Sequence, residues 1–314
     1  MPDTAGPRRI AFLGPEGTFA HAALLTLPES TDAELLPQAT VAHAVEAVRS
    51  GAADAALVPL ENSVEGGVPA TLDELANGDP LVIVDETFLP VRFDLLARPG
   101  TTLADVAVVA THPHAEAQTR RWLMTHAPGA RVALLGSTAA GAAAVAAGEA
   151  DASVSTPLAA TLFGLTPLAS DIADHVGAVT RFVLLAGPRP PAPSTGNDRT
   201  SLVAYLRDDH PGALLELLTV FSDRGINLTR IESRPTKHRL GSYCFSIDAE
   251  GHVVDARVGD ALAALRRVCA DVRYLGSYPR RDGVQSAVPV GRTDLEFADA
   301  AAWLDAVRTT GGAP

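Results

Sequence analysis

The chain has 314 residues, 47% of them hydrophobic and 5% aromatic, with a formal net charge of −12 at pH 7. That length allows two or three domains with sizeable cores, and the apolar content argues against disorder. The acidic balance disfavours a nucleic-acid partner, and no charge-free run of about 18 apolar residues is present to span a membrane. MPDTAGPRR at the start has no apolar stretch behind its arginines, so it does not read as a secretion signal. The two cysteines, Cys244 and Cys269, sit in apolar-periodic stretches. They read as small buried hydrophobes of a reducing compartment, and the expected location is cytoplasmic.

RRIAFL from Arg8 reads as a strand, GPEGTF as a loop, and the segment from Thr18 as a helix with Ala20, Ala23, Leu24 and Leu27 on one face. AELLPQ is a short strand. Thr40 caps a second helix whose apolar stripe is Val41, Ala44, Val45 and Val48, with Gly51 at its C-terminal stop. GAADAALV then runs into LVPLENSVEGG, an apolar strand that ends abruptly in Glu61, Asn62, Ser63 and a glycine pair.

The same order returns in DVAVVA, THPH, AEAQTRRWLM, RVALLG, a Ser137-Thr138 helix cap and GEADASVS. Gly51 and Asp54 of GAADAAL align with Gly148 and Asp151 of GEADASV. A repeated β-α-β-α-β order with matched caps predicts two similar α/β lobes. Residues 81–97 and 179–187 are apolar runs expected to cross between them, leaving a cleft hinged on two strands. Ligands of open α/β sheets sit at the carboxyl ends of strands. The ends available are Gly14–Thr18, Glu61–Gly67, Thr111–His114 and Ser155–Thr156.

These loops carry hydroxyls, amides and backbone N–H groups, from Thr18, Asn62, Ser63, Thr111, Gln118 and Thr180. The glycines of GPEGTF lie just before a helix start, which favours an anion. Arg181, at the start of an apolar crossing strand, needs a carboxylate partner, from a ligand or from the protein itself. Walker, nucleophile-elbow and dinucleotide-fold motifs are absent. His112 and His114 have no third ligand at useful spacing, so no metal is expected. The ligand expected is a small carboxylate-bearing molecule, bound without a cofactor.

Residues 188–198 form a proline-rich linker. Beyond it TSLVAYLRD, the GALLELLTVFSDRG helix, the NLTRIESRPT and GSYCFSIDAEG hairpin, the DARVGDALAALRRVC helix and VRYLGSYP give a β-α-β-β-α-β order. In the tail, Thr293 and Glu296 make a capping box for an amphipathic helix, either a surface helix or one that docks on a neighbour.

Taken together, GPEGTF, PLENSVEGG, THPHAEAQ, TRF, GAL and ESRP resemble the monofunctional bacterial prephenate dehydratase family over residues 8–279. The resemblance implies a two-lobed, type II periplasmic-binding-protein-like α/β catalytic domain at 8–187. Lobe 1 would be about 8–82 plus 179–187 and lobe 2 about 90–178. A ferredoxin-like βαββαβ ACT regulatory domain would follow at 199–279, then a tail at 280–314. It implies decarboxylating dehydration of prephenate to phenylpyruvate in L-phenylalanine biosynthesis. Thr180 would be the family's essential threonine, beside Arg181 and Phe182. Pro59, Glu61 and Asn62 match its PxEN motif, and Ser63 keeps the hydroxyl of the usual threonine. Thr111 stands where serine is usual and His114 where glutamine is usual, while Gln118 matches.

In this reading Thr180 donates to the departing oxygen. Arg181 and the N–H groups near Gly17 and Thr18 hold carboxylates, and Asn62, Ser63, Thr111 and Gln118 orient the substrate. Glu61 is either a proton source or a carboxylate pinning backbone N–H groups. Phenylalanine as effector would meet Gly212, Ala213 and Leu214. Asn227 and the Glu232, Ser233, Arg234, Pro235 segment would face it from a neighbouring subunit, which requires a homodimer or homotetramer through the ACT domains. Arogenate dehydratase is the nearest rival. A small-carboxylate binding or sensor protein is the rival of another class.

Overall fold

The computed structural model describes residues 8–208, 210–236 and 243–311. Gly241 and Ser242, expected to begin the second hairpin strand, lie outside the described residues, as do Asp209 and the first seven positions. The chain forms two compact units. One comprises residues 1–71 and 87–184, the other 72–86 and 185–314.

The first unit contains the repeat. β1 (Arg9–Leu13), α1 (Phe19–Leu24), β2 (Glu34–Gln38), α2 (Val41–Arg49) and β3 (Ala55–Asn62) make the first copy. After β4 (Gly66–Gly67), α3 (Pro69–Ala76), β5 (Val82–Pro90) and β6 (Asp94–Ala97) comes the second copy. It consists of β7 (Val108–Thr111), α4 (Pro113–His126), β8 (Arg131–Leu134), α5 (Thr138–Ala146) and β9 (Ala152–Ser155). α6 (Pro157–Phe163), β10 (Thr166–Ala169) and β11 (Val179–Ala186) complete the region.

The first sheet runs β2-β1-β3-β11-β5 with β4 on β3, and the second β10-β6-β9-β7-β8. In each copy the first strand lies between the other two, and all pairings within the copies are parallel. The aligned aspartates do the same work. Asp54 Oδ2 accepts from the N–H groups of Arg8 and Arg9 at 3.1 and 2.9 Å, and Asp151 Oδ2 from those of Ala107 and Val108 at the same distances. Gly51 and Gly148 both take positive φ after their helices, where a Cβ would be strained. The caps are Thr40 and Ser137, accepting from the N–H groups of His43 and Ala140. α1 is shorter than its apolar spacing suggested. It ends at Leu24, and Leu27 is buried beyond it, just before a 3₁₀ turn.

The two crossings between lobes touch. Val91 N–H donates to the Ala178 carbonyl at 2.8 Å. The second lobe packs around Phe93, Leu95, Val109 and Val154. α5 lies so close to its sheet that a Cβ on Gly141 would sit 2.7 Å from the Ala110 carbonyl oxygen. Gly141→Ala would gain up to about 1 kcal/mol in helix propensity. The clash with rigid backbone costs about 1–3 kcal/mol. Gly141→Ala is therefore expected to lower Tm, and a raised Tm would contradict the close packing.

In the second unit β12 (Asp198–Tyr205), α7 (Ala213–Ser222), β13 (Leu228–Pro235), β14 (Tyr243–Glu250), α8 (Ala256–Val268) and β15 (Asp271–Pro279) build an antiparallel sheet of order β13-β14-β12-β15. The helices cover one face through Leu217, Phe221, Ala261 and Leu265, packed on Leu202 and Ile247. Cys244 and Cys269 are free and buried. Residues 72–86 belong to this unit, and side-chain ion pairs join them to it. Buried Glu86 pairs with Arg199, Asp85 with Arg281, and Asp73 with Arg234. α9 (Asp294–Thr310) follows, with the Thr293–Glu296 capping box formed. Among the described residues no helix is long and apolar enough to cross a membrane.

Candidate active site

Strand ends of both lobes meet around a cavity of about 290 Å³, at the small end for a ligand site. The repeat supplies its walls twice over. Leu13 ends β1 and Gly14 follows it, Ala39 follows β2, and Asn62 ends β3; His112 follows β7 and Gly136 follows β8. Phe19, Phe93 and Phe182 give an aromatic side, with Phe19 and Phe93 edge to face at 5.3 Å.

The polar centre is the pair Asn62 and Thr180. Asn62 Oδ1 accepts from the backbone N–H groups of Val64 and Glu65 at 2.8 and 3.1 Å, an Asx-type turn. Those two bonds fix which end of the amide is oxygen, so Nδ2 faces Thr180 Oγ1 and donates to it at 2.8 Å. With its oxygen accepting from Asn62, the Thr180 hydroxyl keeps its own proton for a group in the cavity. Strand alternation puts Thr180 and Phe182 on the cavity wall and Arg181 on the other face of β11.

Several expected ligand contacts are structural instead. Arg181 is almost wholly buried outside the cavity lining, its guanidinium 3.9 Å from Glu61, and Glu61 does not line the cavity either. Ser63 is a staple between strands: its N–H donates to the Val179 carbonyl and its Oγ accepts from the Val179 N–H. Thr111 is buried, donating to the Val154 carbonyl at 2.8 Å. Gly17 directs its N–H to His21 Nδ1, and its carbonyl accepts from Thr156 Oγ1. Thr18 does reach the cavity, but its hydroxyl is committed: it caps α1 by accepting from His21 N–H and donates to the Leu13 carbonyl at 3.0 Å. Ser155–Thr156 is displaced as a wall by Gly136–Thr138, because β8, like β2 in the first lobe, ends beside the cleft.

Glu65, His112 and His114 lie in the loops expected at the cleft, although none of them was expected to have a part in the cavity. All three line it, with Gln118. Glu65 Oε1 accepts from Gln118 Nε2 at 3.0 Å, and Oε2 lies 2.8 Å from His114 Nδ1. His112 is the N-cap of α4, its Nδ1 accepting from His114 N–H at 3.2 Å. Caps are usually Ser, Thr, Asp or Asn, so a histidine before Pro113 carries little signal. Among the described residues, none that lines the cavity is Arg or Lys. Positive potential comes from the N-terminal ends of α1, α4 and α5, which Thr18, His112 and Ser137 place at its wall.

Burial holds His112 below its ordinary value of 6.5, helped by His114 and partly opposed by Glu65. Burial likewise lowers His21, against the charge of Glu16. Both accept a backbone N–H at Nδ1, which only the neutral ring can do. The unfolded chain binds these protons more readily than the folded one. Stability is thus intact above the ordinary value and lost as pH falls through the folded values. Tm is expected to drop between about pH 7.5 and about 5.5, and to drop less in His112→Asn, whose amide oxygen can still cap α4. An equal drop in both proteins would remove His112 from this account.

In the effector segment, Gly212 has φ +97° and begins α7 as its N-cap. Leu214 is partly exposed and Ala213 is buried. Asn227 Nδ2 donates to Glu250 Oε1 at 3.1 Å. Glu232, Ser233, Arg234 and Pro235 lie on the edge strand β13, with Glu232 3.8 Å from Arg230 and Arg234 2.9 Å from Asp73.

Residues 10–189 match the family described as prephenate dehydratase, and residues 200–267 match the ACT domain. A prephenate dehydratase of Amycolatopsis methanolica is 51% identical over 301 residues, 96% of this chain and 98% of that protein. A prephenate dehydratase of Arthrobacter aurescens solved in complex with L-Phe has a TM-score of 0.90 and 48% identity, covering 96% of this chain and 99% of that one. A structure described as GqqA, a novel type of quorum quenching acylase, has a TM-score of 0.79 and 32% identity, covering 88% and 99%. The chain belongs to the prephenate dehydratase family, with a two-lobed periplasmic-binding-protein-like catalytic region followed by an ACT domain.

Proposed function

We propose that the cavity binds prephenate and that Thr180 assists departure of its ring hydroxyl. The observation that carries this is the Asn62 Nδ2–H bond into Thr180 Oγ1, which leaves the threonine proton for the substrate. Loss of carbon dioxide delivers the electrons of the broken C–C bond to the ring. The ring becomes aromatic as the opposite C–O bond breaks, and the hydroxide takes a proton and leaves as water. Phenylpyruvate remains.

A threonine is a weak acid, so its part is a hydrogen bond that strengthens as negative charge builds on the leaving oxygen. The aromatic side of the cavity matches a flattening ring. The two substrate carboxylates are held by neutral donors and helix N-termini, among them the backbone start of α1 at Thr18 and the Gln118 amide, and not by Arg181. Because this site lacks cationic side chains, it can release the ring carboxylate as neutral gas without breaking an ion pair. Arg181, paired with Glu61, instead anchors the strand that carries Thr180.

The ACT domain is proposed to sense phenylalanine at Gly212–Leu214 of one protomer, together with Asn227 and residues 232–235 of another. The exposed edge of β13 is available for such pairing. The protein is accordingly read as a cytoplasmic homo-oligomer.

Ultraviolet detection of phenylpyruvate is expected to show turnover of prephenate, faster than that of arogenate. Thr180→Ser should stay within about tenfold of wild type, whereas Thr180→Val should lower kcat by about a hundredfold or more while folded. A folded Val variant with near-normal kcat would rule out the hydroxyl's role. For the effector site, Arg234→Ala should raise the phenylalanine concentration for half-maximal response by about tenfold, a loss typical of one charged contact. Asp73→Asn, which removes only the internal partner, should not. Equal shifts in the two variants would make Arg234 a purely structural residue.

A further inference from the structure

Glu65 joins the two halves of the cleft. It sits on the turn after β3 in the first lobe, and both of its carboxylate oxygens engage α4 in the second. Its own N–H donates to Asn62 Oδ1, and the same Asn62 amide donates to Thr180. A continuous set of hydrogen bonds therefore runs from His114 and Gln118, through Glu65 and Asn62, to the Thr180 hydroxyl. Assuming the proposed reaction, we propose that Glu65 is a positioning residue that clasps α4 across the cleft and so sets the aim of the Thr180 hydroxyl.

Three features support a positioning role over a general stabilising one. The side chains of Glu65 and His114 are 43% and 64% exposed, and such partly exposed pairs contribute little to folding. The residues clasped are themselves cavity walls, so a shift of α4 would move His112, His114 and Gln118 away from a bound ligand. Misplacement of about 1 Å at a reacting centre is enough to cost large factors in rate. Finally, the carboxylate is occupied on both oxygens by lobe 2 groups, which satisfies a negative charge that would otherwise repel an acidic substrate.

The clasp also fixes a tautomer. Because Glu65 accepts, His114 must carry a proton on Nδ1. His112, whose Nδ1 accepts, must carry its proton on Nε2 when neutral. When both are neutral, the two rings, 5.2 Å apart, are therefore of opposite tautomeric type.

The kinetic test is a cycle of Glu65→Ala against the double variant His114→Ala/Gln118→Ala. Glu65→Ala alone is expected to lower kcat/KM by about thirtyfold with Tm nearly unchanged, and by less than about threefold in the doubly substituted background. Glu65→Gln, which can still accept from Gln118, should recover part of the loss. An equal loss in both backgrounds would overturn the clasp, since Glu65 would then be acting on the substrate directly. The second test needs no turnover. Nitrogen-15 spectra of neutral His114 should show Nδ1–H in the wild type and a shift to Nε2–H in Glu65→Ala. Nε2–H in the wild type would overturn the proposal. A wild type inactive on prephenate would refute the proposed reaction while leaving this spectroscopic result to decide the clasp.

Discussion

The hydrogen bond from Asn62 to Thr180 joins residues 118 apart in the chain and sets the direction of the threonine hydroxyl. An asparagine amide has a donor end and an acceptor end. Here two backbone N–H groups hold the acceptor end, so the donor end has no choice but the threonine. The threonine oxygen is thereby an acceptor toward Asn62, and its hydrogen is released toward the cavity. For the bond to form, β3 and β11 must be neighbours in one sheet with their ends level. The two hydrogen bonds between Ser63 and Val179, one in each direction, provide that alignment one residue away. Removing either strand from the sheet would destroy the site, although they belong to opposite ends of the catalytic region.

The electrostatic design follows from the repeat. Each lobe brings strand ends and helix starts to the cleft, so three helix N-termini face one cavity. A chain with a net charge of −12 can hold an anion there because backbone dipoles supply the positive field, while the Glu65 carboxylate in the lining is tied to His114 and Gln118. Neutral donors also suit a reaction in which one carboxylate leaves as carbon dioxide. A tight guanidinium partner would stabilise the starting carboxylate and raise the barrier to losing it.

Much of this was legible in the residues. GAADAAL and GEADASV declared the repeat through Asp54 and Asp151, and the shared sheet order with shared aspartate contacts follows from it. The polar turn after β3 was recognisable because an apolar strand ended in Glu61, Asn62 and Ser63. Side-chain direction was legible only through alternation along a strand, and the partner each side chain would meet was not. Arg181 follows Thr180 directly, and alternation along a strand sends consecutive residues to opposite faces. Ser63 and Thr111 carry the hydroxyls a ligand would want, yet Thr111 spends its proton on the Val154 carbonyl and Ser63 lies outside the cavity lining, its oxygen held by the Val179 N–H, which spacing alone does not reveal. Glu65 was hidden for the opposite reason. Its partners, His114 and Gln118, lie on the other lobe, 49 and 53 residues away, so no local pattern announces the contact.

The direction of the Asn62–Thr180 bond can be tested by one isosteric change. Asn62→Asp keeps an oxygen for the N–H groups of Val64 and Glu65 but turns the donor facing Thr180 into an acceptor. The threonine proton would then be drawn to the aspartate and away from the cavity. Steady-state kinetics with prephenate should show kcat reduced by about a hundredfold or more, with Tm close to wild type. A folded Asn62→Asp enzyme that keeps a near-normal kcat would contradict the assignment of the Thr180 hydroxyl as the donor to the leaving oxygen.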